Sequence, residues 1–224
     1  MKDTIIVGVC ATGRVVYDCL LAGGLSDDVA GFVHARDGGE RGWESFDGLP
    51  VLGSVADLEK LKDAGITQAI AGVGENALRQ ELCETLTRAG LELISAVHPT
   101  AAVTRGVELG RNVIIGPCVA AGVGSQIGDG AFLNTSSSID HDCLIGECAH
   151  VCPGTHLAGN VTIGHRSWIG IGTSVIQGIT IGEDTFVGAA SLVIHDLPDG
   201  VLAYGAPAKV VLKLKDEDRG RIIT

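Results

Sequence analysis

The sequence predicts two parts with different architectures. We expect a small parallel α/β domain, Rossmann-like, over residues 1–96, and a parallel β-helix of hexapeptide repeats with a C-terminal tail over residues 97–224. Two observations predict this fold class. Short apolar runs alternate with helical patterns in the first part, and an aliphatic side chain recurs at every sixth residue through the second. A chain of 224 residues has room for two modest domains.

The six-residue period runs from Val97 to Val193. A step of six lands on seventeen positions, of which sixteen are Val, Ile or Leu and one is Ala. Neither the helical repeat of about 3.6 residues nor strand alternation gives this period. Short strands joined by tight corners do, with three hexapeptides in a triangular coil of about 18 residues. A glycine often follows the aliphatic residue, and we expect it to supply the backbone freedom that a corner needs.

Strands and helices alternate in the first part. Strands are expected over residues 4–9, 29–33 and 68–73, and helices over 14–21, 55–62 and 78–89, with residues 93–97 leading into the repeat. Ser54 suits the N-cap of the second helix, Gly90 suits the position after the third, and residues 50–53 are expected to end a loop. The pattern implies a parallel sheet, and nucleotides bind such sheets at the carboxyl ends of the strands.

The charge and composition of the chain limit the classes of partner and the cellular compartment that we expect. The formal net charge of −11 argues against nucleic acid or an anionic membrane as the main partner. The chain has no run of 18 apolar residues and no pattern typical of a signal peptide. Its seven cysteines include no CxxC pair. Together these features predict a cytoplasmic protein with reduced thiols.

One corner of the repeat carries the chemistry. Between Ile139 and Ile145 stand Asp140, His141 and Asp142, where a repeat alone needs no charged residue. Histidine has the right pKa to accept a proton near neutral pH, and an adjacent carboxylate can fix its tautomer and raise its basicity. We therefore expect His141 to be a general base and Asp142 its orienting acid.

Three stretches carry a family resemblance. Residues 134–147, with the sequence NTSSSIDHDCLIGE, resemble the matching segment of the hexapeptide-repeat sugar N- and O-acyltransferases of the bacillosamine and sialic-acid type. The GAPAK segment at 205–209 resembles their C-terminal signature, and the α/β start resembles their nucleotide-sugar domain. The resemblance implies a left-handed β-helix, a homotrimer, and acetyl-CoA as co-substrate without a metal. It also implies direct N-acetylation of a nucleotide-linked 4-amino-deoxysugar such as GDP-perosamine or a UDP-amino sugar.

The resemblance also implies site residues. His141 and Asp142 would be catalytic, although the family's acid is commonly Glu. Ala11 and Thr12 differ from the Gly and His usual in the family's nucleotide turn. The implied CoA-binding residues are His150, Ile171, Ala189, Gly205, Ala206, Pro207 and Lys209. The implied nucleotide-sugar residues are Gly8, Thr12, Gly13, Arg14, His34, Arg36, Gly74, Asn76, Arg79 and Asn134.

Other functions stay open at this point. O-acetylation of a sugar would use the same base. A metalloenzyme similar to the γ-carbonic anhydrases would need three converging histidines, for which His141, His150 and His156 are the candidates. Two of these are six residues apart, which predicts different sides of one coil. A non-catalytic scaffold would have no use for the polar corner.

Overall fold

The computed structural model describes residues 2–36 and 44–218. In the α/β domain, one six-stranded sheet has the order β3-β4-β2-β1-β5-β6, with all neighbours parallel except the β3–β4 pair. Its elements are β1 (Thr4–Val7), α1 (Ala11–Ala22), β2 (Val29–His34), β3 (Ser45–Phe46), β4 (Leu49–Ser54), α2 (Leu58–Asp63), β5 (Gln68–Ala71), α3 (Asn76–Arg88) and β6 (Glu92–Leu93).

The predicted strands and helices are confirmed to within a few residues, with one error. Residues 50–53 are not a loop, because β4 runs parallel to β2 with Val51 beside Phe32. Ser54 caps the following 3₁₀ turn by accepting from the Ala56 N–H at 3.3 Å.

The second part consists of short strands in chain order. They are β7 (Ala96–Val97), β8 (Ala102–Val103), β9 (Glu108–Leu109), β10 (Ile114–Ile115), β11 (Ala120–Ala121), β12 (Gln126–Ile127), β13 (Phe132–Leu133), β14 (Ser138–Ile139), β15 (Leu144–Ile145), β16 (His150–Val151), β17 (His156–Leu157), β18 (Thr162–Ile163), β19 (Trp168–Ile169), β20 (Ser174–Val175), β21 (Thr180–Ile181), β22 (Phe186–Val187), β23 (Leu192–Val193), β24 (Val201–Gly205) and β25 (Ala208–Lys213).

These strands form a coil with three sides. The first side contains β7, β10, β13, β16, β19, β22 and β24, the second contains β8, β11, β14, β17, β20 and β23, and the third contains β9, β12, β15, β18 and β21. Strands within a side are parallel, and each residue pairs with the residue one coil later, as Leu133 does with Val151. The aliphatic residues of all three sides meet in one core. The β24–β25 hairpin continues the first side.

The role expected for the repeat glycines is wrong. The left-handed corner positions are held by other residues, among them Asp142 with a φ of 56°. Gly122 and Gly128 follow the aliphatic residue and do not have positive φ values. A Cβ on Gly122 would lie 2.7 Å from the Asp140 carbonyl carbon, and one on Gly128 would lie 2.8 Å from the Glu147 nitrogen. These glycines are required because successive coils stack closely.

The α/β domain covers the outer face of the first side. Ile6, Val16 and Leu20 pack with Ile114 and Phe132 in one buried cluster. Outward side chains on the second and third sides are mostly exposed or half-buried. The corner between those two sides therefore lies opposite the α/β domain. In the described residues, no helix has both the length and the apolar character that a membrane crossing requires.

Candidate active site

The corner at residues 140–143 holds the histidine and acid in a fixed arrangement. The His141 Nδ1 atom lies 2.8 Å from Oδ2 of Asp142, and the His141 N–H donates to Oδ1 of Asp140 at 2.8 Å. Neighbouring coils anchor the backbone, because the Asp142 N–H donates to the Val123 carbonyl and the Asn160 N–H to the His141 carbonyl. The corner is therefore a rigid platform for an imidazole–carboxylate pair.

The pair is open to solvent and tuned toward basicity. The side chains of His141 and Asp142 are 50% and 60% exposed. The hydrogen bond that the His141 ring donates to Asp142 raises the pKa of His141, and the negative charge of Asp140 raises it further. When Nδ1 carries the proton shared with Asp142, Nε2 is left as the proton acceptor.

Glycines on the adjacent coils make room for both side chains. The His141 ring lies over Gly159, where a Cβ would overlap Nε2 and come within 2.6 Å of Cε1. The Asp142 carboxylate lies over Gly124, where a Cβ would overlap Oδ1. Sequence reasoning missed both glycines. The sequence spacing could have indicated them, because the two glycines lie one coil above and one coil below the corner.

His150 occupies a different environment and requires a correction. Its ring stacks on Phe132 at 4.4 Å and contacts Trp168 at 4.3 Å, and its exposure is 4%. Its Nε2 atom lies 3.2 Å from the amide nitrogen of Asn134. Burial lowers the pKa of His150 well below its usual range, and the nearby Arg79 charge lowers it further. The predicted side-chain contact with CoA is therefore wrong, since the ring is enclosed by its own chain.

The other residues predicted to bind CoA are accessible. Ile171 and Ala189 lie on successive coils at the corner between the first and second sides, and both are exposed. The segment Gly205–Lys209 forms the turn of the β24–β25 hairpin, with Ala206, Pro207 and Lys209 exposed. The Gly205 N–H donates to Ser191 Oγ at 3.2 Å, which attaches this turn to the same corner.

A cavity of about 460 Å³ lies at the carboxyl ends of β1, β2 and β5. Gly8 has a φ of 147° and approaches the Gly72 carbonyl too closely for a side chain. Helix α1 begins just after this turn, so its first N–H groups lie at the cavity edge. The predicted residues in the lining are Gly8, His34, Arg36 and Gly74, and the residues that sequence reasoning missed are Val9, Cys10, Ala35, Val73, Glu75 and Leu78.

Residues 12–14 of the same turn do not line this cavity. Thr12 comes nearest to it, with its hydroxyl 3.2 Å from the place that a Cβ would take on Gly74. Gly13 packs directly against the Gly8 carbonyl. Arg14 forms an ion pair with Asp47 at 3.0 Å.

Two further nucleotide-sugar predictions are wrong because the side chains are buried. Arg79 has no exposed surface, and its guanidinium donates to the carbonyl oxygens of Val73, Gly74, Gly130 and Cys148. Asn76 is 1% exposed. It accepts a hydrogen bond from Arg79 and donates to the backbone carbonyls of residues 166 and 167. Both side chains join the cavity loop to the β-helix instead of contacting a phosphate.

The histidines considered for a metal site do not converge. His150 lies on the first side, His156 on the second, and His141 at the corner between the second and third. His156 Nδ1 is 2.8 Å from Ser138 Oγ. Within the described ranges, no three His, Cys, Asp or Glu side chains group as metal ligands would.

A three-sided coil with a histidine–carboxylate corner, joined to an α/β domain, defines a hexapeptide-repeat acyltransferase. The model of the PglD N-terminal domain matches residues 3–86. GDP-perosamine N-acetyltransferase from Escherichia coli O157:H7 is 30% identical over 87 residues, which span 39% of each chain.

Solved structures match over almost the full length. PerB from Caulobacter crescentus, in complex with CoA and GDP-perosamine, has 39% identity and a TM-score of 0.88, with 94% of this chain and 98% of that chain covered. The acetyltransferase domain of PglB from Neisseria gonorrhoeae FA1090, in complex with acetyl coenzyme A, has 31% identity and a TM-score of 0.85, with coverage of 94% and 99%.

The chain belongs to the hexapeptide-repeat sugar acetyltransferases, a family that includes the perosamine N-acetyltransferases. It is therefore an enzyme of the acyltransferase class. The expected fold class, an α/β domain followed by a left-handed parallel β-helix, is confirmed.

Proposed function

We propose that this chain is an acetyl-CoA-dependent N-acetyltransferase that acetylates the amino group of a nucleotide-linked 4-amino-deoxysugar, with GDP-perosamine as the favoured acceptor. The pairing of His141 with Asp142 at 2.8 Å carries the proposal. Similarity to a structure holding CoA and GDP-perosamine supports the choice of donor and acceptor.

The corner suits direct acyl transfer. The sugar amine attacks the thioester carbonyl, and Nε2 of His141 takes the proton that the nitrogen loses. Asp142 holds Nδ1–H and stabilises the imidazolium that forms. The CoA thiolate then leaves as the tetrahedral intermediate collapses. No covalent enzyme intermediate is needed, because the thioester is already activated.

Residues 1–96 would bind the nucleotide at the cavity that contains Gly8, His34 and Gly74. The first N–H groups of α1 suit a pyrophosphate, and Arg36 at the rim adds a positive charge. Glu75 gives the wall a carboxylate, a residue type that often accepts hydrogen bonds from ribose hydroxyls.

Residues 97–224 would bind CoA and form a homotrimer. The α/β domain covers the first side, whereas His141 lies at the opposite corner. A single chain therefore cannot bring its own nucleotide cavity and its own base together. In the proposed trimer, the cavity of one subunit faces the His141 corner of its neighbour. CoA would lie along the exposed corner that contains Ile171 and Ala189, with Lys209 near its phosphates.

The test is a thiol-release assay with acetyl-CoA and a panel of acceptors. The panel contains GDP-perosamine, UDP-linked 4-amino sugars, serine, a free amino sugar, and a GDP-sugar with a hydroxyl in place of the 4-amino group. We expect strong release with GDP-perosamine and none with the hydroxyl analogue. Release with the hydroxyl analogue would instead indicate O-acetylation. If no acceptor in the panel causes thiol release although acetyl-CoA binds, the proposed acceptor is contradicted.

Oligomeric state is a separate test of the shared site. Sedimentation should give a trimer that persists at assay concentration. An active monomer would contradict the pairing of cavity and corner across subunits.

A further inference from the structure

Two thiols from different parts of the chain meet beside helix α3. Cys83 lies on this helix, and Cys148 lies at the corner between the third and first sides. Both sulfur atoms lie beside the backbone of Gly130, and both residues line the same cavity. Gly130 makes the approach possible, because a Cβ on it would come within 2.5 Å of the Cys148 sulfur and 3.6 Å of the Cys83 sulfur. The sequence gives no sign of this pair, since 65 positions separate the two residues.

The pair lies at the wall of an open cavity of about 340 Å³. Cys83 and Cys148 are 9% and 3% exposed, and both line this cavity. Charged side chains line its rim, among them the positive Arg88 and Arg111 and the negative Glu147. A small polar oxidant such as hydrogen peroxide can therefore reach the sulfur atoms, whereas larger reagents are restricted.

The surroundings favour a thiolate at Cys148. The buried Arg79 guanidinium donates to the Cys148 carbonyl, and its other acceptors are also carbonyl oxygens, so these hydrogen bonds do not neutralise its charge. The hydrogen bond with Cys83 lowers the pKa of Cys148, and the Arg79 charge lowers it further. Burial raises the pKa of the neighbouring Cys152 to about 12, which leaves that thiol unreactive.

We propose that Cys83 and Cys148 are a peroxide-sensitive pair that closes into a disulfide between helix α3 and the β-helix. The Cys148 thiolate attacks one oxygen of the peroxide, and the O–O bond breaks. Hydroxide departs, and a sulfenic acid remains on Cys148. The Cys83 sulfur then attacks that sulfur, the S–O bond breaks, and water leaves. In sum, two thiols are oxidised to a disulfide and one peroxide is reduced to two waters.

The disulfide would restrict the movement of the loop that contains Val73 and Gly74 at the nucleotide cavity. Arg79 lies next to the pair and already joins Val73 and Gly74 to the β-helix. A covalent bond one turn further along α3 would hold the helix against the β-helix more firmly. The seven cysteines of the described residues are free thiols, so both sulfur atoms are available for the proposed disulfide.

The primary test uses the wild-type protein. It is treated with hydrogen peroxide, alkylated under denaturing conditions, digested and mapped by mass spectrometry. We expect a cross-linked peptide that contains Cys83 and Cys148, with the loss of two hydrogen atoms, which dithiothreitol reverses. Full alkylation of both thiols after exposure that oxidises the exposed Cys118 would overturn the proposal.

Variants test the order of the steps. The folded Cys83→Ser protein is treated with peroxide, and dimedone added together with denaturant should then trap a sulfenic acid at Cys148, because the resolving thiol is gone. The matched control is Cys118→Ser, which removes the exposed thiol and should retain the cross-link. If dimedone labels Cys118 but not Cys148 in the folded Cys83→Ser protein, Cys148 is not the attacking thiol and the proposal fails.

Discussion

Two histidines half a coil apart have opposite environments. His141 lies at an uncovered corner with a carboxylate at 2.8 Å, and its pKa is raised. His150 lies on the side covered by the α/β domain, with its ring stacked on Phe132 and in edge contact with Trp168, and its pKa is lowered. The same residue type is therefore an exposed imidazole that can accept a proton at one place and a neutral packing group at the other. In a three-sided coil, the side that a partner domain covers decides which role a histidine can take.

The largest effect should follow removal of the base. We expect His141→Ala to reduce kcat by roughly 10²–10⁴-fold with little change in KM, because general base catalysis supplies that factor. The measurement is thiol release with GDP-perosamine at saturating acetyl-CoA. His98→Ala, on the first coil, is the matched control and should retain activity. Near-normal turnover in a folded His141→Ala protein would remove His141 from the mechanism.

Gly159 provides the second prediction. Its backbone does not have a positive φ, so alanine is tolerated there except for its contact with the His141 ring. Gly159→Ala should displace the imidazole and lower kcat by up to about 10²-fold, since misplacement by about an ångström has that cost. The double variant with His141→Ala should be no slower than His141→Ala alone. A further loss in the double variant would show that Gly159 acts independently of the ring.

Asp142→Asn tests the carboxylate with a smaller effect. Asparagine tolerates the left-handed conformation at this corner, so the backbone should be retained. The neutral imidazole is the active form, and activity is lost as the pH falls through the pKa of His141. Because Asp142 raises that pKa, Asn should move the acid limb of the kcat profile to lower pH. We expect a loss of roughly tenfold at the optimum, a minor share of the general-base factor. An unmoved acid limb would contradict the assignment.

The sequence predicted the histidine–carboxylate corner but not the junction between domains. Local spacing determines the coil, so the period from Val97 to Val193 predicted most of the inward aliphatic residues, although Leu109 is 38% exposed and Ile179 and Leu197 join the core from outside the period. His141 and Asp142 interrupt that period and were visible for the same reason. Arg79 was predicted to bind the nucleotide sugar, and its actual acceptors could not be predicted because they are backbone carbonyls, which the pattern of side chains does not reveal. His150 was placed on the wrong surface, since repeat spacing does not show which side another domain covers.

His150→Phe should have the smallest effect on turnover. It tests most directly whether the two histidines have different roles. Phenylalanine keeps an aromatic ring stacked on Phe132 and in edge contact with Trp168, so we expect kcat within a few-fold of wild type. The Asn134 amide loses its ring partner, which should cost about 1–3 kcal/mol in the free energy of unfolding.

The pH dependence of stability in this variant follows from the depressed pKa. His150 stays neutral in the folded protein below its ordinary value of 6.5, whereas the unfolded chain binds the proton. The wild type should therefore lose stability as the pH falls below about 6.5, and His150→Phe should lose less over the same range. Urea unfolding at pH 7.5 and pH 5.5 measures both values. Equal pH dependence in the two proteins would mean that His150 is not buried in its neutral form, and the contrast with His141 would fail.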